Sequence, residues 1–204
     1  MIERSNDLQC GLGSTQITGC RIALHPMTDD FVDVILGGLA KTDMSSVWRA
    51  TDSLGTLLRG QMIDLVNTSM LLFANAYRED IHMAASMTYS KGCPGDVEAD
   101  YLKDVTPRNE WVRTDNDSQM CEATISFYTF GVSNYMDHIY HVIDMIKEKG
   151  LYSEKRHYST ILSGSIYDVF HCYQDILEYA DANLSHFVIE TTVSVNSPSN
   201  KGEK

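Results

Sequence analysis

The sequence predicts an α+β protein in which one β-α-β-β-α-β module is used twice, and three observations carry that prediction. The chain matches itself at an offset of 104 residues, amphipathic helices occupy corresponding positions in the two halves, and each half closes on a segment alternating with the period of a strand. At that offset Thr56, Leu58, Gly60, Asp64, Ala76, His82, Thr88, Ser90 and Pro94 fall on Thr160, Leu162, Gly164, Asp168, Ala180, His186, Thr192, Ser194 and Pro198. These are nine identities in 39 positions, where ordinary composition gives roughly two or three.

The elements follow in order. Residues 17–25 and 121–128 open the two halves as strands. Phe31, Ile35 and Leu39, and their counterparts Tyr135, Ile139 and Ile143, recur at helical spacing. Thr28, Asp29 and Asp30 precede the first of these helices and Ser133 and Asn134 the second, all residue types that cap a helix N-terminus; Gly150 stands where the second should end. Hairpins are expected at about residues 47–59 and 152–163. Gly60 and Gly164 then lead into a second helix pair, with stripes Leu65, Val66, Ser69, Phe73 and Ala76, and Val169, Phe170, Tyr173, Leu177 and Ala180. Met83, Ala85, Met87 and Tyr89, and Phe187, Ile189, Thr191, Val193 and Val195, alternate as strands. This is the ferredoxin-like order, with antiparallel sheets. The expected modules are residues 16–92 and 119–197. A connector at 93–118, in a stretch rich in Gly, Pro, Asp and Asn, lies between them, with disordered tails at 1–15 and 198–204.

Bulk properties narrow the function. The 204 residues carry 16 basic and 28 acidic side chains, a formal charge of -12. That sign opposes a grip on nucleic acid phosphates, so no nucleic acid partner is expected. Apolar runs such as residues 70–74 are far shorter than the ~20 residues of a membrane helix, and no basic flank with an apolar core opens the chain. A cytoplasmic protein without direct membrane insertion is expected. Cys10, Cys20, Cys93, Cys121 and Cys172 form an odd, widely spaced set without a C-x-x-C pair, and read as reduced thiols.

Candidate chemistry is sparse. The polar sides of the closing strands carry His82, Ser86, Thr88 and Ser90 in one half and His186, Glu190, Thr192 and Ser194 in the other. Such a face lines a polar pocket or simply meets solvent or a wet interface. His138 and His141 share a helix face, but no Asp, Glu or Cys stands at metalloenzyme spacing, so packed or solvated histidines are expected and no metal is assigned. Gly11, Gly13 and Ser14 lack the Lys-Ser/Thr of a phosphate loop. No Ser or Cys lies beside a base in a nucleophile elbow. No catalytic residue is assigned and a non-enzymatic role is expected.

An ordered set of phrases then stands out: His25-Pro26-Met27-Thr28-Asp29-Asp30-Phe31, Lys41-Thr42-Asp43, Val47-Trp48, Thr51-Asp52, Leu58-Arg59-Gly60, Gly92-Cys93-Pro94-Gly95-Asp96, His157-Tyr158, Asp168-Val169-Phe170 and Asn196-Ser197-Pro198-Ser199. Together they resemble the YkoF family of thiamin and hydroxymethylpyrimidine-binding proteins, from about residue 19 to 199. The resemblance implies a tandem of ferredoxin-like modules, a homodimer, non-enzymatic binding of thiamin or its hydroxymethylpyrimidine precursor with no further cofactor, and a link to precursor uptake through a membrane transporter.

An aminopyrimidine presents a donor–acceptor edge and an aromatic face, which call for a carboxylate, hydroxyl or backbone pair and an aromatic or Met wall. Met27, Trp48, Thr51 and Asp52 supply these types, with Ser86 on the polar face and Arg59 as a phosphate partner or surface ion pair. Repeat symmetry puts a related pocket near Tyr128, His157, Tyr158 and Ser159. Asp52 and Arg59 correspond to Arg156 and Ser163, so the two pockets are expected to be unequal. The chain departs from the family pattern at His25, where Tyr is favoured, and at Tyr128-Thr129-Phe130, which replaces a second Tyr-Pro-Met. The competing reading is a small-metabolite-sensing regulatory module; a small enzyme on the same fold is the third.

Overall fold

Alternation in the sequence is met by a single antiparallel sheet in the computed structural model, which describes residues 17–91 and 99–201. In chain order the elements are β1 (Thr18–Pro26), α1 (Phe31–Lys41), β2 (Trp48–Asp52), β3 (Gly55–Gly60), α2 (Met62–Ala76) and β4 (Met83–Lys91), then β5 (Met120–Thr129), α3 (Tyr135–Glu148), β6 (Tyr152–Arg156), β7 (Ser159–Ser165), α4 (Ile166–Asn183) and β8 (Phe187–Val195). The strands run β2-β3-β1-β4-β8-β5-β7-β6 across the sheet. Two ferredoxin-like modules therefore meet edge to edge, β4 against β8, and form one eight-stranded sheet instead of two separate ones. Met87 pairs with Thr191, its own counterpart at the repeat offset, so a pseudo-twofold axis passes through that pair.

The fusion of the two edges has a physical cause in the pleat. Met83, Ala85, Met87 and Tyr89 on β4, and Phe187, Ile189, Thr191, Val193 and Val195 on β8, turn inward and are buried, while Ser86, Glu190 and Thr192 stay exposed on the other side. Helices α2 and α4 cover the inward face and touch each other across the junction, with the Phe73 and Phe170 rings 6.1 Å apart. One hydrophobic cluster runs through both modules. Its two buried tyrosines satisfy their hydroxyls locally: Tyr89 with Ser69 Oγ at 2.6 Å and Tyr173 with Thr191 Oγ1 at 2.6 Å. Cys20, Cys121 and Cys172 are free and buried, and burial pushes the Cys121 and Cys172 thiols up to about 12, which makes them inert core residues.

Helix ends follow the sequence in position more than in bonding. Ser165 caps α4, accepting the N–H of Asp168 at 3.0 Å while its hydroxyl donates to the Asp168 carboxylate, a reciprocal cap. At the end of α3, Gly150 has φ +71, its N–H donates to Lys147 O and Leu151 N–H to Ile146 O, the paired bonds of a Schellman turn. Asp30 and Asn134 occupy the N-cap positions of α1 and α3 without a side-chain cap bond.

The connector is more than a spacer. Its described part holds a 3-10 turn at Asp100–Asp104 and straps itself to the helices. Arg108 lies 3.0 Å from the buried carboxylate of Asp64 and donates to Ser46 Oγ and Asn67 Oδ1, while Trp111 Nε1 donates to Gln174 Oε1. Burial holds Asp64 above the ordinary carboxylate range against the pull of Arg108. The C-terminal segment, expected to be disordered from 198, begins with a 3-10 turn at Pro198–Lys201. Cys10, Gly11, Gly13, Ser14, Cys93 and the phrase at residues 92–96 lie outside the described residues.

Candidate functional site

Each module leaves a cavity at the same place, between the end of its opening strand, its first helix and the tip of its hairpin. In the second module the cavity measures about 490 Å³; β5 contributes Ile125, Phe127 and Tyr128, α3 contributes Ile139 and Ile143, and the hairpin contributes Lys155, Arg156, Tyr158, Ser159 and Thr160. In the first it is about 260 Å³, with Ile22, Leu24 and His25 from β1, Ile35 and Leu39 from α1, and Thr51, Asp52, Leu54, Gly55 and Thr56 from the hairpin. Ladder registers establish the correspondence. Ile22 pairs with Thr56 as Ile125 pairs with Thr160, and Thr51 pairs with Thr56 as Lys155 pairs with Thr160.

The opening strands thus match at an offset of 103 and the remaining elements at 104. The extra residue falls in the turn before the helix, which has four residues (27–30) in the first module and five (130–134) in the second, including Gly131 at φ +75. That register brings His25 opposite Tyr128 and Leu24 opposite Phe127, so the second cavity has the more aromatic wall.

Helix packing explains part of the size difference. Gly38 of α1 sits so close to α2 that an added Cβ would stand 2.8 Å from Ala76 Cβ. Its counterpart on α3 is Val142, a buried residue that lines the larger cavity. A bulky side chain at that position holds α3 away from α4, and α3 touches α4 far less than α1 touches α2.

Hairpin tips differ in how they are held. Asp52 Oδ1 accepts the N–H groups of Leu54 at 2.7 Å and Gly55 at 3.1 Å, an Asx turn that shapes the tip, and lies 3.9 Å from Arg21. In the second module Arg156 replaces that turn-former and pairs with Glu154, and Ser126 Oγ pins the tip by donating to the Tyr158 carbonyl at 2.9 Å. Tyr158 takes the left-handed conformation, φ 68, and as a residue is 96% exposed at the cavity mouth.

The sequence-derived site residues divide accordingly. Tyr128, Tyr158 and Ser159 line the larger cavity, Thr51 and Asp52 the smaller. Ser86 borders a third depression of about 370 Å³ on the uncovered polar face, shared with Tyr158, Ser159, Thr192 and Glu190. His157 is exposed at the hairpin tip beside Tyr158 but lies outside the lining. Trp48 and Arg59 oppose each other across β2 and β3. Strand alternation turns both away from the cavity, because Thr51, Thr56 and Leu58 occupy the inward positions, and Trp48 packs instead against Ile17, Ala99 and Leu102. Met27 lies beyond the end of β1, exposed, with its N–H donating to His82 O. His138 and His141 are packed on Tyr179, His138 Nδ1 being 2.8 Å from its hydroxyl.

Sequence reasoning missed the walls: Ile125, Phe127, Ile139, Ile143 and Lys155. Thr56 and Thr160 were visible as an identity in the repeat, and their position on matching cavity floors gives that identity a structural meaning.

Fold and cavities together define a tandem ferredoxin-like protein with one strand–helix–hairpin pocket per module. The model of the YKOF-related family matches residues 17–96 and 120–200, once over each module. The chain is also 33% identical over 195 residues, 94% of its own length and 96% of the relative's, to the "Putative HMP/thiamine-binding protein YkoF" of Bacillus subtilis (strain 168). It belongs to the YKOF-related family. No helix among the described residues is long and apolar enough to cross a membrane.

Proposed function

We propose that this chain binds thiamin or its hydroxymethylpyrimidine precursor, one molecule in each cavity with unequal affinity, in support of precursor uptake or salvage. The observation that carries this reading is the repeated cavity: the same three elements form it twice, with apolar walls and a hydroxyl-bearing floor at Thr56 and Thr160. A flat heteroaromatic ring fits such a site. Ile125, Phe127, Ile139 and Ile143 offer it apolar contact, Tyr128 and Tyr158 an aromatic rim, and Ser159 and Thr160 hydrogen-bonding groups for a polar edge. The smaller cavity offers His25, Thr51 and Asp52 for the same purpose, with less aromatic surface. Family membership and the name of the Bacillus subtilis relative support this choice of ligand over an amino acid or nucleotide.

The test is thermal unfolding with and without ligand. A ligand that binds the native state raises the melting temperature by linkage, so thiamin and hydroxymethylpyrimidine should each do so and a panel of amino acids should not. A melting curve indifferent to both, at millimolar concentration, contradicts the reading; a response to amino acids instead favours a metabolite-sensing module.

A further inference from the structure

The two cavities differ in charge as well as in size, and the difference falls on equivalent hairpin positions: Thr51 and Asp52 in the first module, Lys155 and Arg156 in the second. Among the described residues no acidic side chain lines the larger cavity and no Lys or Arg lines the smaller. The pair of charges at positions 52 and 156 is locally compensated, Asp52 by Arg21 and Arg156 by Glu154. Lys155 is different. It pairs in register with Thr160, whose buried side chain forms the cavity floor, and no carboxylate among the described residues stands within ion-pair distance of it. Cationic side chains gathered at one cavity of a chain with net charge -12 are a local feature, not part of a general basic surface.

We infer that the second module's pocket takes an aromatic ligand bearing an anionic group, a phosphomonoester, with the ring against Phe127 and Ile139 and the phosphate toward Lys155. This rests on the reading of both cavities as pyrimidine sites. The larger cavity, about 490 against 260 Å³, has room to spare for a ligand longer by one such group. The first pocket, with Asp52 in the equivalent place, takes the unphosphorylated compound. Arg59, the phosphate candidate of the sequence, faces away from both cavities; the anion-binding role passes to Lys155.

The experiment titrates isotope-labelled full-length protein with thiamin and with thiamin monophosphate, reading the amides of Gly55 and Thr56 for the first pocket and Ser159 and Thr160 for the second. At low salt the phosphate ester should bind the second pocket about two- to fivefold more tightly than thiamin, the size expected for a partly exposed ion pair, and the preference should shrink toward 0.5 M salt. Lys155→Thr, an exposed edge-strand change to the residue found at position 51, should abolish the preference, and Lys155→Arg should keep it. If thiamin shifts both amide sets but the phosphate adds nothing, or if Lys155→Thr retains the preference, this inference is overturned while the proposed function stands. If neither compound moves either set, both fall.

Discussion

Asp52 holds two roles that one pair of substitutions separates. Its Oδ1 accepts two backbone N–H bonds that shape the hairpin tip, at 2.7 and 3.1 Å, and the same residue lines the first cavity. The side chain is 68% exposed, so each bond contributes at the low end of its class, about 0.5–1 kcal/mol. Asp52→Ala loses both, about 1–2 kcal/mol, which for a chain of this size lowers the melting temperature by about 2–8 °C. Asp52→Asn keeps the acceptor oxygen and the turn, and should change stability by less than about 0.5 kcal/mol. A carboxylate accepting from the ligand's amino group is a charge-assisted bond, and making it neutral costs about 1–1.4 kcal/mol, up to tenfold in Kd. Calorimetric titration with thiamin, paired with scanning calorimetry of the apo protein, reads both quantities. Asp52→Asn should weaken the first pocket alone and leave the melt in place. A wild-type isotherm for Asp52→Asn would refute the ligand contact, and an unshifted melt for Asp52→Ala would refute the turn argument.

Other consequences follow from the same geometry. Phe73→Ala removes a fully buried ring that meets Phe170 across the module junction and should cost about 3–5 kcal/mol in urea denaturation; fluorescence and circular dichroism should still report one coincident transition, and two separated transitions would disprove the shared core. Gly150→Ala places a side chain at φ +71 with open space around it, so the expected cost is the backbone strain alone, about 1 kcal/mol, and a stabilised variant would contradict the Schellman assignment. Arg113 and the Thr114 N–H hold the Asp117 carboxyl below its ordinary value. A depressed folded-state value gives stability that is present above about pH 4 and lost as pH falls through the depressed value. Asp117→Asn should therefore flatten the acid limb of a stability–pH profile, and an unchanged slope between about pH 2 and 5 would show that the pair does not contribute.

Much of the fold was legible from the chain because its signals are local. Helical spacing at Phe31, Ile35 and Leu39, alternation at Met83–Lys91 and the C-terminal Gly150 each depend on residues within a few positions of one another. The 104-residue repeat added the tandem arrangement. Three things were decided only in three dimensions. The pairing of β4 with β8 joins residues about a hundred positions apart, and nothing in either strand names its neighbour. The family phrases already set Tyr128 in the place of His25, but only the ladder registers locate the extra residue that separates this match from the 104-residue offset, in the turn at 130–134. The location of the cavities is the third. Polar residues pointed to the open face of the sheet, and a shallow depression does lie there, but the strand–helix–hairpin cavities are lined by apolar side chains that the sequence assigns equally well to core. An Ile at helical spacing is the same whether it fills a core or walls a pocket. Gly38 against Ala76, and Val142 in the matching place, decide between the two by setting how closely each first helix approaches its neighbour.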